Sequence, residues 1–397
     1  YLEIQRFLNT SSETTLGPGL GLDIGSSFWF YNQYRQIQMD QSAGDSVPDV
    51  FFSGIPDLGI SLFDGTSDTL SDYASVILDL INAGYADCLH SFGHFSEAGF
   101  NRDLALQAID LLGRESLTVD VFVNHGGQEN RNNVGEAPSA LGDNPESGIY
   151  HTDISIPMGI KFLWRGHVTH CIGQDGNFSI LNLAKRAYEY VQDLRYAEQS
   201  YPHDNRLVHI CELDDGQRVF EFVRYNNPWG KYSIAREKFF THQLGANQVD
   251  NLIESNGYMI FYTHLGTSQE TPYLSPSTID ALRHMKKKFD QGDLLVTTTS
   301  KLLNYYVHHK HLFWRTENRS DSILIIIDSI ANDVEGNFVP DLSDLEGIAF
   351  YIPENRLAAI MVNGKPVPSV LNGKDETGRE MISILWQRLV FPDFAHR

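Results

Sequence analysis

Cysteine, basic residues and long apolar runs are all scarce in this chain of 397 residues. Cys88, Cys171 and Cys211 are too few for a disulfide framework and show no C-x-x-C spacing, so neither a zinc knuckle of that kind nor a redox pair is expected. Lys and Arg number 30 against 51 Asp and Glu, a formal charge of −21. A surface that negative repels phosphate backbones and anionic headgroups, which argues against nucleic acid and against polybasic membrane docking. No run approaches eighteen apolar residues, so no membrane span is expected. There is no G-x-S-x-G elbow, and Cys88 sits in an apolar strand-like run, which leaves serine and cysteine nucleophiles without support. Neither a fixed-period repeat nor a low-complexity tract is present. The chain begins at Tyr1 instead of Met, consistent with a removed leader, and its compartment stays open.

Apolar residues are plentiful: at 42%, with 12% aromatic, the chain can bury a full-sized core. Across residues 19–312, short apolar runs (LGLDIG, LGISLF, ADCLHSF, LTVDVFVNH, GIKFLW, RLVHICEL, YMIFYTH, DLLVTTT) read as strands. Helix-like segments lie between them at residues 70–83, 102–112 and 276–289, the last with Ser275 as N-cap and Pro276 at the first helical position. About seven such units predict parallel strands with helical crossovers in a closed or nearly closed barrel. The final stretch (SILIIIDSI, GIAFYIP, LAAIMVNGKPVPSVL, MISILWQ) reads as antiparallel, and Asn363-Gly364 is a favoured two-residue hairpin turn. The expected fold is therefore α/β: a (β/α) barrel over residues 1–315 and a small C-terminal antiparallel β-sandwich over 316–397.

In such a barrel, chemistry collects where strands end at their carboxyl side. Asp23, Asp87, His90, His94, Asn124, His125 and His264 all fall at or near predicted strand ends. The spacing of His90 and His94 lets one imidazole end a strand and the other return from the loop, as metal ligands or as a core and a surface histidine. His125 precedes Gly126 and Gly127, and His264 lies two before Gly266; glycine there lets the chain turn and a substrate approach. His264 suits a general acid or base. Asp23 and Asp87, set in apolar strands, require a partner such as a metal, a histidine or an arginine. Asp64 is better explained as a turn former with Gly65. Phe28, Trp29, Phe30 and Tyr31 could stack on sugar rings, although packing suits at least two of them. His167 with His170, and the group His308, His309 and His311, read as structural. Arg102, Arg131 and Arg165 offer local positive charge.

His90-Ser91-Phe92-Gly93-His94 resembles the H-[ST]-x-x-H motif of the polysaccharide deacetylase superfamily, a distorted (β/α) barrel that also includes glycoside hydrolases. LGLDIG and IFYTHLG fall where that family's first-strand Asp-Asp and last-strand histidine motifs lie, so the resemblance spans roughly residues 19–305. It implies a divalent metal, usually zinc, on His90 and His94, with Asp23 as base and His264 as acid. Where the family has a second consecutive Asp, this chain has Ile24. The metal-binding carboxylate is then Asp23 itself, Asp87 or Asp64, with Asp87 the expected ligand, or the metal is absent. His125 is the further catalytic candidate. The expectation is a metal-dependent, deacetylase-like hydrolase of a complex carbohydrate. The alternatives are a glycoside hydrolase using a carboxylate pair such as Asp23 and Asp87, and a non-catalytic glycan-binding or assembly protein.

Overall fold

A computed structural model describes residues 1–33, 60–96, 98–126, 128–135, 137–177, 179–195, 204–227, 236–265, 273–354, 356–375 and 377–394. The chain divides into two compact units, Tyr1–Thr299 with Val390–Arg397, and Ser300–Leu389. The expected boundary at 315/316 falls inside the strand Leu312–Asn318 of the second unit.

The first unit is mixed α/β. Its strands are β1 (Ser26–Phe28), β2 (Ala86–His90), β3 (Val121–Val123), β4 (Phe162–Trp164), β5 (Val208–Glu212) and β6 (Arg218–Phe222). They lie in the order β5-β6-β4-β3-β2-β1. The neighbours from β1 to β6 pair in parallel, while β5 and β6 form an antiparallel hairpin. Residues 206–213 therefore do not form a crossover strand. Gly216, at φ 80°, lets the chain reverse after Leu213, whose amide donates to the Gln217 carbonyl at 2.9 Å. Helices with one apolar face supply the crossovers. In α1 (Ala74–Asn82), Ala74, Ile77, Leu80 and Ile81 are buried; in α2 (Arg102–Arg114), Leu104, Ala105, Ala108, Leu111 and Leu112 are. The Asn101 side chain caps α2 by accepting from the Leu104 amide at 3.2 Å. Further along are α3 (Ile180–Arg195), α4 (Ala246–Ser255) and α5 (Pro276–Asp290), the last capped by Ser275 as its sequence predicts.

LGLDIG, YMIFYTH and DLLVTTT differ from expectation: none forms a ladder strand, and the first strand of the six-stranded sheet begins at Ser26. Side chains and isolated bridges hold them instead. Asn9 bonds both the amide and the carbonyl of Ile24, Tyr258 bridges to Gln174, and the Tyr225 amide donates to the Ile260 carbonyl at 2.8 Å. Leu20, Leu22, Ile24, Met259, Phe261, Leu265, Leu294 and Val296 from these segments pack into one apolar cluster. Among the described residues the ladder does not close on itself.

The second unit holds two sheets. In one, β7 (Leu312–Asn318), β8 (Ser322–Asn332) and β9 (Gly336–Phe338) pair antiparallel. In the other, β10 (Ala349–Ile352) and β13 (Val370–Lys374) both pair antiparallel with β14 (Glu380–Ser383). β11 (Leu357–Val362) departs from the antiparallel expectation by running parallel to β8, then turns at Asn363 (φ 48°) and Gly364 (φ 72°) into β12 (Lys365–Pro366). Ile325 and Ile327 of β8, Phe350 of β10, Ile360 of β11 and Ile382 of β14 share one core.

Candidate functional site

Three imidazoles from two stretches of the first unit face one another, His90, His94 and His125. His90 ends β2, and the following turn, with Ser91 at φ 54° and Gly93 at φ 147°, carries His94 back beside it. Gly93–His94 pairs in parallel with Tyr31–Asn32, and a side chain at Gly93 would collide with the Tyr31 carbonyl, so this position requires glycine. His125 follows β3 by two residues. Its Nε2 lies 2.6 Å from His94 Nδ1, a hydrogen bond in which one ring donates and the other accepts. Ring centroids are 4.7 Å apart for His90 and His125, and 4.8 Å for His94 and His125. Trp29, just past β1, covers the group, stacked on His94 at 5.8 Å with its centroid 5.3 Å from His125. Its Nε1 is buried without a hydrogen-bond partner among the described residues. Gly127 and Gly266 lie outside the described residues.

The electrostatics keep His90 and His125 neutral. Burial holds His90 well below the ordinary histidine value, reinforced by repulsion from His125, Arg224, His264 and His94. Burial, with His94 and His264, holds His125 at about 3. His264 thus lies within electrostatic reach of both, although it comes from the segment bridged to Arg236.

A loop that the sequence reading missed fixes this arrangement. Asn130 accepts from the Phe95 amide at 3.2 Å and donates to the Gly126 carbonyl, linking the two histidine-bearing turns. Asn132 accepts from the Phe92 amide at 3.0 Å and from the Ser91 hydroxyl. Asn133 exchanges two bonds with the His125 backbone, and Asn124 exchanges two with Val134. The signal was the asparagine-rich run at residues 130–133, since asparagine amides can stand in for backbone groups where a loop must be buried.

The acidic candidates lie elsewhere along the strands. Ser26 pairs with Ala86, so Asp23 precedes the β1–β2 pair, and its carboxylate accepts from the Tyr85 hydroxyl at 3.4 Å. His90 and Trp29 lie at the other end of that pair. Asp87, three residues before His90, packs against Gly25 and Cys88 and within electrostatic reach of Arg224. Arg224 is 6% exposed; its guanidinium lies 4.3 Å from the Trp164 ring centroid and 4.6 Å from that of Tyr262. Burial and Asp87 push the Cys88 thiol well up, which fits its reading as inert.

Several other candidates have structural roles. Phe28, Phe30 and Tyr31 are core, and Asp64 belongs to a turn whose carbonyl accepts from Ser67. Arg165 and His167 both bind the buried Glu221, His170 Nδ1 meets the Asn226 carbonyl, and Arg102 pairs with Asp153 at 2.6 Å. Within the second unit His308 is buried, its Nδ1 bonded to the Asp344 carbonyl.

Among the described residues no group of three His, Cys, Asp or Glu side chains is arranged to hold a metal ion, and none of the helices is long and apolar enough to cross a membrane. Comparison with protein-family models, curated proteins and solved structures gave no match.

Proposed function

We propose that the first unit is a metal-dependent hydrolase of the deacetylase type acting on a complex carbohydrate, with its centre at His90, His94 and His125. The observation that carries this reading is the convergence of three imidazoles, of which burial and neighbouring charge keep His90 and His125 neutral, the form that binds a divalent ion such as zinc. The donors suit such an ion in kind: His90, His94 and His125 would hold it through ring nitrogens. When bound, it would polarise an acyl carbonyl and acidify water.

The chain's own groups have defined tasks in this reading. Trp29, stacked on His94 and beside His125, holds those two rings in place. His264, coming from its own segment, is the proton donor to the leaving group, and Asp87 balances the charge of Arg224 behind His90. Asp23, at the far end of the β1–β2 pair, serves the fold in this reading. The extended segments at 20–25, 258–264 and 293–298 complete the wall of a distorted barrel by side-chain packing in place of ladder bonds.

Elemental analysis of protein purified without chelator, followed by acetate release from acetylated oligosaccharides, tests the proposal. Bound metal that is lost in His94→Ala, with acetate release lost in parallel, is the expected result. Release of reducing ends would indicate a glycosidase, and glycan binding without metal or turnover would indicate a binding protein; either would overturn the reading.

A further inference from the structure

A second concavity in the first unit, of about 840 Å³, is lined by none of the three clustered imidazoles. Lys185 of α3 lines it and is 2% exposed, with its ammonium 5.6 Å from the Tyr225 ring centroid. That ammonium makes no hydrogen bond or ion pair with the described residues. The nearby carboxylate, Glu189, is engaged by Arg186 at 3.2 Å, the Thr169 hydroxyl at 2.9 Å and the His170 amide at 2.5 Å. The first turn of α4 lines the same space at Ala246 and Asn247, where the helix leaves amides without intrahelical acceptors and the positive end of its dipole. His242 lines it too, and its Nε2 is buried without a hydrogen-bond partner among the described residues.

A buried unpaired cation is costly, and here it shares a cavity with a helix amino terminus and a ring nitrogen lacking a partner. Together an ammonium and the free amides of a helix amino terminus make an anion site, and they match a phosphate. Opposite polarity is offered by Asn251 and by Asp280, an exposed carboxylate that can accept from hydroxyls but not from another anion. We propose that this cavity binds a phosphorylated sugar or polyol, its phosphate on Lys185 and the first turn of α4, and its hydroxyls on Asn251 and Asp280.

Calorimetric titration with glucose 6-phosphate, inorganic phosphate and glucose tests this. Glucose 6-phosphate binds most tightly, inorganic phosphate more weakly and glucose not measurably. Lys185→Met and Asn247→Asp each weaken glucose 6-phosphate by about tenfold or more. Asn247 is exposed, and a carboxylate in the first helical turn favours the helix, so Asn247→Asp keeps the fold while repelling the anion. His94→Ala leaves this binding unchanged. No binding of either phosphate probe, equal binding of glucose, indifference to Asn247→Asp, or loss of binding in His94→Ala would each overturn the proposal.

Discussion

His151 should govern part of the acid sensitivity of the first unit. It is 0% exposed, and its Nε2 donates to the Asn132 carbonyl at 2.8 Å, which leaves Nδ1 to accept from the Ser155 hydroxyl at 3.2 Å. Burial outweighs that carbonyl bond and pushes the imidazole from 6.5 down to about 4. Below pH 6.5 the unfolded chain takes up a proton that folded His151 refuses, so its contribution to stability is whole above 6.5 and is lost as the pH falls toward 4. A gap of roughly 2.5 units, at about 1.4 kcal/mol each, amounts to about 3 kcal/mol. His151→Gln removes the titration and keeps a side-chain amide to meet Asn132. Urea unfolding followed by tryptophan fluorescence, run at about pH 7 and about pH 4, should show the unmodified protein losing about 3 kcal/mol more than the variant over that interval. Every other titrating group is common to both proteins, so the difference isolates this ring. Parallel losses would refute the argument and mean that His151 accepts a proton in the fold.

Three further outcomes follow from the same geometry. Asn132→Leu removes the acceptor for the Phe92 amide and Ser91 hydroxyl and should cost about 1–3 kcal/mol in denaturant unfolding, with the NMR resonances of His94 shifted as its turn relaxes. Gly93→Ala must leave a positive φ and clear the Tyr31 carbonyl, so unfolding measurements should show a loss of about 2 kcal/mol or more. Arg224→Met removes one of the charges that depress His90, so its NMR titration midpoint should rise; an unmoved midpoint would place the guanidinium outside its field.

The local elements were legible because their signals are local. Apolar residues at helical spacing marked α1 and α2, Ser275-Pro276 marked the start of α5, and Asn363-Gly364 marked a hairpin whose positive φ angles need those residue types. The three histidines could be named from their places at the ends of apolar runs. Their meeting was not legible, since it depends on the turn after His90 and on asparagine amides reaching across from residues 130–133.

Pairing, in contrast, was decided by tertiary structure. LGLDIG has the apolar character of a strand, yet its backbone is held by Asn9 and its side chains by a shared cluster, so the β1–β2 register starts at Ser26 and leaves Asp23 at the opposite end from His90. RLVHICEL reads the same whether its neighbour runs parallel or antiparallel, and the reversal at Gly216 chose the latter. An apolar run specifies that a segment will be buried; which partner buries it, and therefore which end of the strand carries each polar group, depends on contacts between residues far apart in the chain.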